Sequence, residues 1–333
     1  MDRMDYIQAV TRTRVLETRL LSRAIVERMV DAKDMEEVIK ILGETEYAHA
    51  TIGLTRFEEY EKILSAELKR VYDLMYEMAK DKIVVDLLAL KYDYHNLKAL
   101  VKEKYLKEEQ DDIYIPLGIT DFSKIREAYL TDDLRDIDPK LRDALETVTK
   151  DFEENKDPQR IDLLMDNFYF QHLHGMAKET EIPLFINYVE DLIDFTNIRT
   201  LLRVRKQKKD INFLELVISS YGNIPKEEIL LLINEDLEVI KTKLKTYRTG
   251  EVLKKGLETF ERTDRLSEFE QEMDNYLIEL IKPSLTINFG PEPLFSYVLA
   301  KEAEIKILRI IMVSKLNKLS PDAIRERLRD LYV

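Results

Sequence analysis

Cysteine is missing from this 333-residue sequence, and glycine and proline are scarce. Without cysteine the chain can form no disulfide, no thiol nucleophile and no cysteine-ligated zinc site. Eight glycines and nine prolines leave room for few sharp turns. With 45% hydrophobic and 35% charged residues, the composition favours long helices that keep one face in water.

Long apolar runs and a basic surplus are also missing. No apolar run reaches the roughly 18 to 20 residues that span a bilayer, so we expect no membrane-spanning segment. The first residues, MDRMDYIQAV, include charges and no apolar core, and we expect no signal peptide. The net charge of −13 argues against nucleic-acid binding, which depends largely on cations that neutralise phosphates.

Motifs that hold cofactors or perform catalysis are absent. There is no glycine-rich phosphate loop, no HExxH and no GxSxG. His49 and His95 stand alone. His172 and His174 would point about 160° apart on a helix and could not share a metal. We therefore expect no cofactor, metal site or catalytic residue.

One acidic stretch offers an enzymatic alternative. Asp132, Asp133 and Asp136 form a DDxxD pattern, which all-helical isoprenoid-type synthases use to hold magnesium and diphosphate. That chemistry needs a second acidic motif on a facing helix, and the sequence has no second DDxxD. The stretch also runs into Pro139, so we expect a solvated helix end or loop.

Apolar residues recur three or four positions apart along much of the chain, which predicts amphipathic helices and an all-α fold. The stretches IYIPLGIT and SLTINFG are predicted to be loops, and the prolines to fall between helices. Four apolar stripes carry this prediction: Val15, Leu20, Leu21, Ile25; Leu87, Leu88, Tyr92, Leu97; Leu192, Phe195, Ile198, Leu202; and Ile305, Leu308, Ile311, Met312.

Three segments repeat one pattern: an acid, then Asn or Ile three residues later, followed by an aliphatic residue and a base. They read DYHNLKALV from Asp93, DFTNIRTLL from Asp194 and EIKILRIIM from Glu304. The acids lie 101 residues (194 − 93) and 110 residues (304 − 194) apart. Upstream, MDNFY matches MDNYL, and downstream DFSKIREAYL, NFLELVISSY and SPDAIRERLRDLY resemble one another. We interpret this as a triplication, in which the two chain ends complete one copy.

The repeated acid and asparagine share a helix face, at Asp93 with Asn96 and at Asp194 with Asn197. One interpretation is a polar contact that fixes the register of packed helices; the other is a site at a threefold pseudo-axis. The third copy has Glu304 but carries Ile307 in place of asparagine, which argues against a symmetric polar site.

A basic run ends the second of these helices. Cations cap helix ends favourably, yet six bases within eleven residues exceed what capping requires. A docking surface for an acidic partner or for lipid headgroups is the alternative. The run comprises Arg199, Arg203, Arg205, Lys206, Lys208 and Lys209.

Taken together, these segments resemble the C subunit of archaeal and bacterial V-type ATPases, the relative of the eukaryotic d subunit. The opening stretch carries a Leu-x-x-Thr-x-Tyr element at Leu42, Thr45 and Tyr47. The acid-x-x-Asn helices and the closing stretch also match, although Leu308 replaces the family's usual isoleucine. The matching closing residues are Lys301, Glu302, Glu304, Ile305, Arg309, Ile324, Arg325, Leu328 and Tyr332.

The resemblance implies a funnel of three similar helical domains around a pseudo-threefold axis, with residues 1–110, 111–210 and 211–333 as the domains. It implies a non-catalytic central-stalk subunit on the cytoplasmic side of the membrane. Its partners would be the D and F subunits of the central shaft and the proteolipid rotor ring, with proton or sodium transport performed by the whole complex. Stiff helical packing suits such mechanical coupling.

Overall fold

The computed structural model describes residues 1–52, 56–106 and 113–333. This part of the chain is helical with no β-strand, which confirms the all-α prediction. Its α-helices are α1 (Ile7–Glu17), α2 (Arg23–Asp31), α3 (Met35–Leu42), α4 (Ala48–Thr51), α5 (Tyr60–Met78), α6 (Ile83–Leu106), α7 (Phe122–Leu130), α8 (Pro139–Asn155), α9 (Pro158–Thr180), α10 (Pro183–Lys206), α11 (Ile211–Val217), α12 (Lys226–Leu231), α13 (Leu237–Leu244), α14 (Gly250–Thr263), α15 (Leu266–Ile281), α16 (Glu292–Leu316) and α17 (Pro321–Arg325).

Proline and left-handed residues set the joints between the long helices. Lys156 and Glu181 end α8 and α9 in the left-handed conformation, with φ of 56° and 58°. Pro158 and Pro183 then begin α9 and α10, where the missing amide hydrogen is not needed. These short joints fold α8, α9 and α10 back against one another.

Three of the four predicted apolar stripes are confirmed, because their residues are buried or half-buried on α6, α10 and α16. The prediction of the first stripe is wrong. Helix α1 ends at Glu17, so Leu20 and Leu21 lie in the link to α2 and the helical period stops short of them. Val15 itself lies on α1 and points to solvent, with 51% of its surface exposed.

The chain forms two compact units. One contains residues 1–85 and 255–333, and the other contains residues 86–254. The predicted boundary near residue 110 lies outside the described residues. The three-domain division and the funnel stay predictions.

In the first unit, both chain ends share one core. Apolar residues of α2, α3 and α5 pack with α16 and with Ile324 of α17. Helix α16 is buried all round over residues 292–301. Gly290 precedes it with φ of 113°, a conformation that favours glycine, and an added Cβ would press on Glu292 and Arg3.

In the second unit, three long helices form the framework. Helices α8, α9 and α10 pack as consecutive antiparallel neighbours, and α11 and α12 pack on α10. Helix α6 is tied to α9 by ion pairs from Lys98 to Asp166 and from Lys102 to Asp162. This arrangement exposes one end of α10, where the basic run lies.

Candidate functional site

Each of the three repeated acids binds the loop that leads into a short helix. Asp93 on α6 accepts hydrogen bonds from the amides of Ile119 and Thr120, at 2.9 and 3.2 Å. Asp194 on α10 accepts from the Ile224 amide at 2.9 Å. In each case an amide donates two residues before the short helix begins, at Phe122 for α7 and Lys226 for α12.

Glu304 on α16 makes the same contact across the whole length of the chain. Its carboxylate accepts from the Leu21 amide at 2.5 Å, two residues before α2 begins at Arg23. The partner loop of the third copy is therefore supplied by the N-terminal segment. This finding supports the predicted exchange between chain ends.

The two asparagines bind the same loops as the acids. Asn96 donates to the Ile115 carbonyl and accepts from the Ile115 amide, both at 2.8 Å. Asn197 holds Ser219 in the same way, at 2.9 and 3.0 Å. The acid-x-x-Asn pair is thus a helix-to-loop connector, which agrees with the register-fixing interpretation.

A base eleven residues after each acid binds the far end of the same short helix (104 − 93, 205 − 194 and 315 − 304). Lys104 lies 3.4 Å from the Tyr129 carbonyl at the end of α7. Arg205 donates to the Leu232 and Glu235 carbonyls beyond α12, at 3.2 and 2.6 Å. Lys315 donates to the Val30 and Ala32 carbonyls at the end of α2, at 2.6 and 2.5 Å.

Each short helix is therefore held at both ends by one long helix. The acid meets amides at its N-terminal end and the base meets carbonyls at its C-terminal end, which is the polarity favoured by the helix dipole. Eleven residues are about three helical turns, so both side chains lie on one face. The acids were predicted from sequence; the bases at Lys104 and Lys315 were missed, although their constant spacing was the available signal.

Glycine permits the close approach of loop and acid in the second unit. A Cβ on Gly118 would lie well inside contact distance of the Asp93 carboxylate, and one on Gly222 would do the same to Asp194. A larger residue would push the loop away from its acid. The shared glycine is further support for a true repeat.

Burial raises the pKa of both aspartates. The pKa of Asp93 rises to about 6 and that of Asp194 to about 7, because burial disfavours the charged form more than the amide hydrogen bonds stabilise it. Within the described residues, Oδ2 of Asp194 is buried without a hydrogen-bond partner. Near neutral pH, Asp194 is therefore divided between its protonated and ionised forms.

Glu304 has ionic partners instead. Lys301, 1% exposed, lies 2.7 Å from Glu304 and 3.4 Å from Glu67. The Tyr47 hydroxyl donates to Glu304 at 2.7 Å, and Arg70 holds Glu67 with two bonds of 2.8 and 2.9 Å. Burial alone would lower the pKa of Lys301, but the neighbouring carboxylates and Tyr297 outweigh it and raise that pKa.

The residues that carried the family resemblance meet around this network. Tyr47 contacts Glu304, and Leu42, Ile305, Leu308 and Ile324 lie in the same core. The first and last segments of the motif are thus one structural element, separated by almost the whole sequence.

One repeat match from the sequence is wrong. Helices α11 and α17 correspond, since each follows a long helix and a left-handed lysine and is capped by a side chain, Asp210 or Ser320. DFSKIREAYL instead forms α7, which follows the acid-bound loop and corresponds to α12. Short Leu-rich and Glu-rich helices match each other too easily for sequence to separate them.

The structure divides the basic run into two parts. Arg199 is half-buried, and Arg205 is engaged with α12 as described above. The side chains of Arg203, Lys206, Lys208 and Lys209 are exposed at the end of α10 and just beyond it.

The DDLRD stretch forms the turn between α7 and α8, as predicted. Asp132 bonds Lys104 at 2.8 Å and Asp133 pairs with Arg135 at 2.6 Å, so both acids have cationic partners in an exposed turn. In residues 1–52, 56–106 and 113–333, no three His, Asp or Glu side chains are placed to hold a metal ion.

The two neighbouring histidines point to different helices, as their spacing predicts. Nδ1 of His172 lies 3.3 Å from the Tyr94 hydroxyl on α6, and Nε2 of His174 lies 3.8 Å from Glu190 on α10. Burial lowers the pKa of His172 to about 4, so this imidazole is neutral at physiological pH.

No helix in the described part of the chain is both long enough and apolar enough to cross a membrane. The described part of the chain is a helical protein in which repeated acids and bases hold short helices against long ones.

The chain belongs to the ATP synthase (C/AC39) subunit family, whose model matches residues 9–327. It is 28% identical to the C subunit of the V-type sodium ATPase of Enterococcus hirae, over 99% of both chains. It is 24% identical to the C subunit of the A-type ATP synthase of Methanocaldococcus jannaschii, over 99% of this chain and 88% of the relative. The corresponding A-type ATP synthase protein of Thermococcus onnurineus is 26% identical over 96% of this chain and 88% of the relative.

Membership of this family makes the chain a non-catalytic stalk subunit of a rotary ATPase. The isoprenoid-synthase alternative therefore falls away, together with any catalytic role for the DDLRD stretch. Ion transport is a property of the complex to which such a subunit belongs.

Proposed function

We propose that this chain is the central-stalk socket that couples the D and F subunits of the shaft to the membrane rotor ring. In this role it passes torque between the shaft and the ring and performs no chemistry of its own. It would lie on the cytoplasmic face of the membrane, and the ring would decide whether protons or sodium ions are moved. The three similar helical domains and their funnel arrangement belong to the same proposal.

The two-ended connector is the observation that carries this proposal. In each copy, one long helix holds a short helix by an acid at one end and a base at the other. A body joined in this way resists sliding of one helix along another, since sliding would break both contacts. Torque transmission needs such resistance, because a packed core transmits strain.

The exposed cations at the end of α10 are proposed as a contact surface of the socket. Arg203, Lys206, Lys208 and Lys209 present exposed side chains there, whereas Arg205 is directed to the carbonyls beyond α12. In contrast, Asp93, Asp194 and Glu304 are proposed to support the contact surfaces from inside, since all three are buried.

Omission of this subunit tests the proposal. In a complex assembled without it, the catalytic head should still hydrolyse ATP, while ATP-driven ion uptake into vesicles should fall below about a tenth of the complete complex. Adding the purified chain back should restore uptake and should co-purify both the shaft and the ring. Undiminished uptake without the chain would refute the coupling role.

A further inference from the structure

The end of α10 in the second unit is a place where three helix ends converge. Asn197 and Asp194 bind Ser219 and Ile224, so the loop between α11 and α12 lies beside the middle of α10. Arg205 binds the carbonyls beyond α12, so α12 ends beside the last turns of α10. Helix α11 therefore runs back along α10 and begins where α12 ends.

This convergence is both basic and apolar. The cations of Arg203, Lys206, Lys208 and Lys209 are joined by two exposed apolar side chains, Ile211 at 45% and Leu231 at 68% exposure. We call these six residues the basic tip. The tip has four cations beside the carboxylates of Asp210, which caps α11, and Glu235, which pairs with Lys243 at 2.8 Å, so the cations outnumber these two acids.

The equivalent helix end in the first unit, at the end of α16, shows that the fold does not require these cations. Helix α16 ends in the same way as α10, with Lys318 and Lys208 both left-handed, at φ of 57° and 55°. At positions equivalent to Arg203, Lys206 and Lys209 the first unit has uncharged residues. These residues are Val313, Leu316 and Leu319.

The end of α10 has cations at all four positions, whereas the end of α16 has one, Lys318, on the same local structure. This difference indicates that the cations at the end of α10 bind a ligand and do more than cap the helix. We propose that the basic tip binds anionic lipid headgroups, so that it orients this subunit on the membrane surface. The proposal rests on the proposed function, because a stalk subunit next to the rotor ring lies close to lipid.

Three features favour a lipid surface over an acidic protein. The cations end a helix and its following turn and all four side chains are exposed, so they can meet a broad surface together. Three of the four are lysines, whose flexible stems suit headgroups without fixed geometry. Exposed Leu231 and Ile211 can enter the headgroup region beside them, as the apolar residues of interfacial helices do.

The rest of the chain makes this contact selective in orientation. With a net charge of −13, most of the surface is repelled by an anionic membrane. At physiological salt the Debye length is about 8 Å, so distant acids are screened while the tip acts at contact. Each cation near an anionic surface contributes about a fivefold gain in binding.

Co-sedimentation of the full chain with vesicles tests this inference without any other subunit. We expect binding to phosphatidylcholine vesicles containing about one third phosphatidylglycerol, and no binding to pure phosphatidylcholine. The triple variant Lys206→Glu, Lys208→Glu, Lys209→Glu should bind at least about tenfold more weakly. Leu231→Ser should weaken binding severalfold while leaving the charge unchanged.

A matched control is available in the same unit. The triple variant Lys140→Glu, Lys150→Glu, Lys156→Glu makes the same charge change at exposed positions. Lys156 is also left-handed and packs its ammonium over Phe152 at 5.7 Å, as Lys209 does over Phe213 at 5.3 Å. This control should keep wild-type vesicle binding.

Three outcomes would overturn the lipid assignment. These are no binding to anionic vesicles by the wild-type chain, equal losses in both triple variants, and loss of co-purified shaft or ring subunits in the tip variant with vesicle binding unchanged. The last would identify an acidic protein partner. A wild-type chain that binds vesicles but does not restore ion uptake would instead refute the socket role alone.

Discussion

The acid positions of the two units make the same contact in different surroundings. Asp194 in the second unit and Glu304 in the first each accept the amide two residues before a short helix. Within the described residues, Oδ2 of Asp194 has no hydrogen-bond partner, and Oδ1 accepts the Ile224 amide close to Gly222. Glu304 is surrounded by Lys301, Tyr47 and the Leu21 amide.

This difference shows that the same contact between an acid and a loop amide can form in two electrostatic environments. A buried carboxylate without a cation shifts its pKa upward, whereas one with a buried cation forms an ion pair. The second unit should therefore respond to pH near neutrality through its aspartates. The first unit should respond mainly to loss of either charged partner, because such a loss leaves the other charge buried.

The largest effect is expected at the ion pair of the first unit. Glu304→Leu removes the nearer of the two carboxylates beside buried Lys301 and the acceptor for Leu21 and Tyr47, and should lower the free energy of unfolding by about 3 to 5 kcal/mol. Chemical denaturation measures this change. The double variant with Lys301→Met should recover part of the loss, because no buried lysine is left with only the more distant Glu67 beside it. A double variant as unstable as the sum of the single variants would contradict the paired arrangement.

Measuring stability as a function of pH tests the prediction for the second unit. The folded pKa of Asp194, about 7, lies above its ordinary value, so the folded state binds the proton more tightly and stability is lost as pH rises. Relative to Asp194→Asn, the wild type should lose about 2 kcal/mol of unfolding free energy between pH 5 and pH 7. Denaturation at each pH measures the difference.

Asp93 provides the matched case for that series. Because its folded pKa is about 6, the loss of stability relative to Asp93→Asn should begin at the same pH as for Asp194 but level off about one pH unit lower. If the stability curves of the wild type and Asp194→Asn instead run parallel from pH 5 to pH 7, the Asp194 carboxyl does not titrate in that range.

A smaller effect is expected at the loop glycines of the second unit. Gly222→Ala pushes the loop from Asp194, and should cost about 1 to 3 kcal/mol of unfolding free energy. Gly175→Ala is the control, because a Cβ there has no neighbour within 4 Å and α9 should gain about 0.5 to 1 kcal/mol. Thermal or chemical denaturation of both variants decides whether close approach, or alanine as such, is responsible.

The smallest effect distinguishes the two parts of the basic run. Arg205→Met loses its bonds to the carbonyls after α12 and should cost about 1 to 2 kcal/mol. Arg203→Met, two residues away and exposed, should change stability by less than about 0.5 kcal/mol. Similar losses in both variants would contradict the assignment of Arg205 to the fold and Arg203 to the surface.

Much of the fold could be predicted, because its signals are local. Helical periodicity placed the buried faces of α6, α10 and α16, and the repeated acids marked equivalent positions on them. Local signals failed where the chain only briefly keeps one period, as at Val15, or where helices share a composition, as with the false match of α7 to α11.

The sequence by itself determined the class of fold, the register of the acids and the family, since these depend on residues close together in the chain. Only the tertiary structure decided which backbone groups the acids and bases bind. Glu304 and Leu21 are 283 residues apart, and Arg205 looks like its exposed neighbours until α12 is placed beside it. Such pairings depend on how the helices pack, because a side chain's partner is set by distance in space.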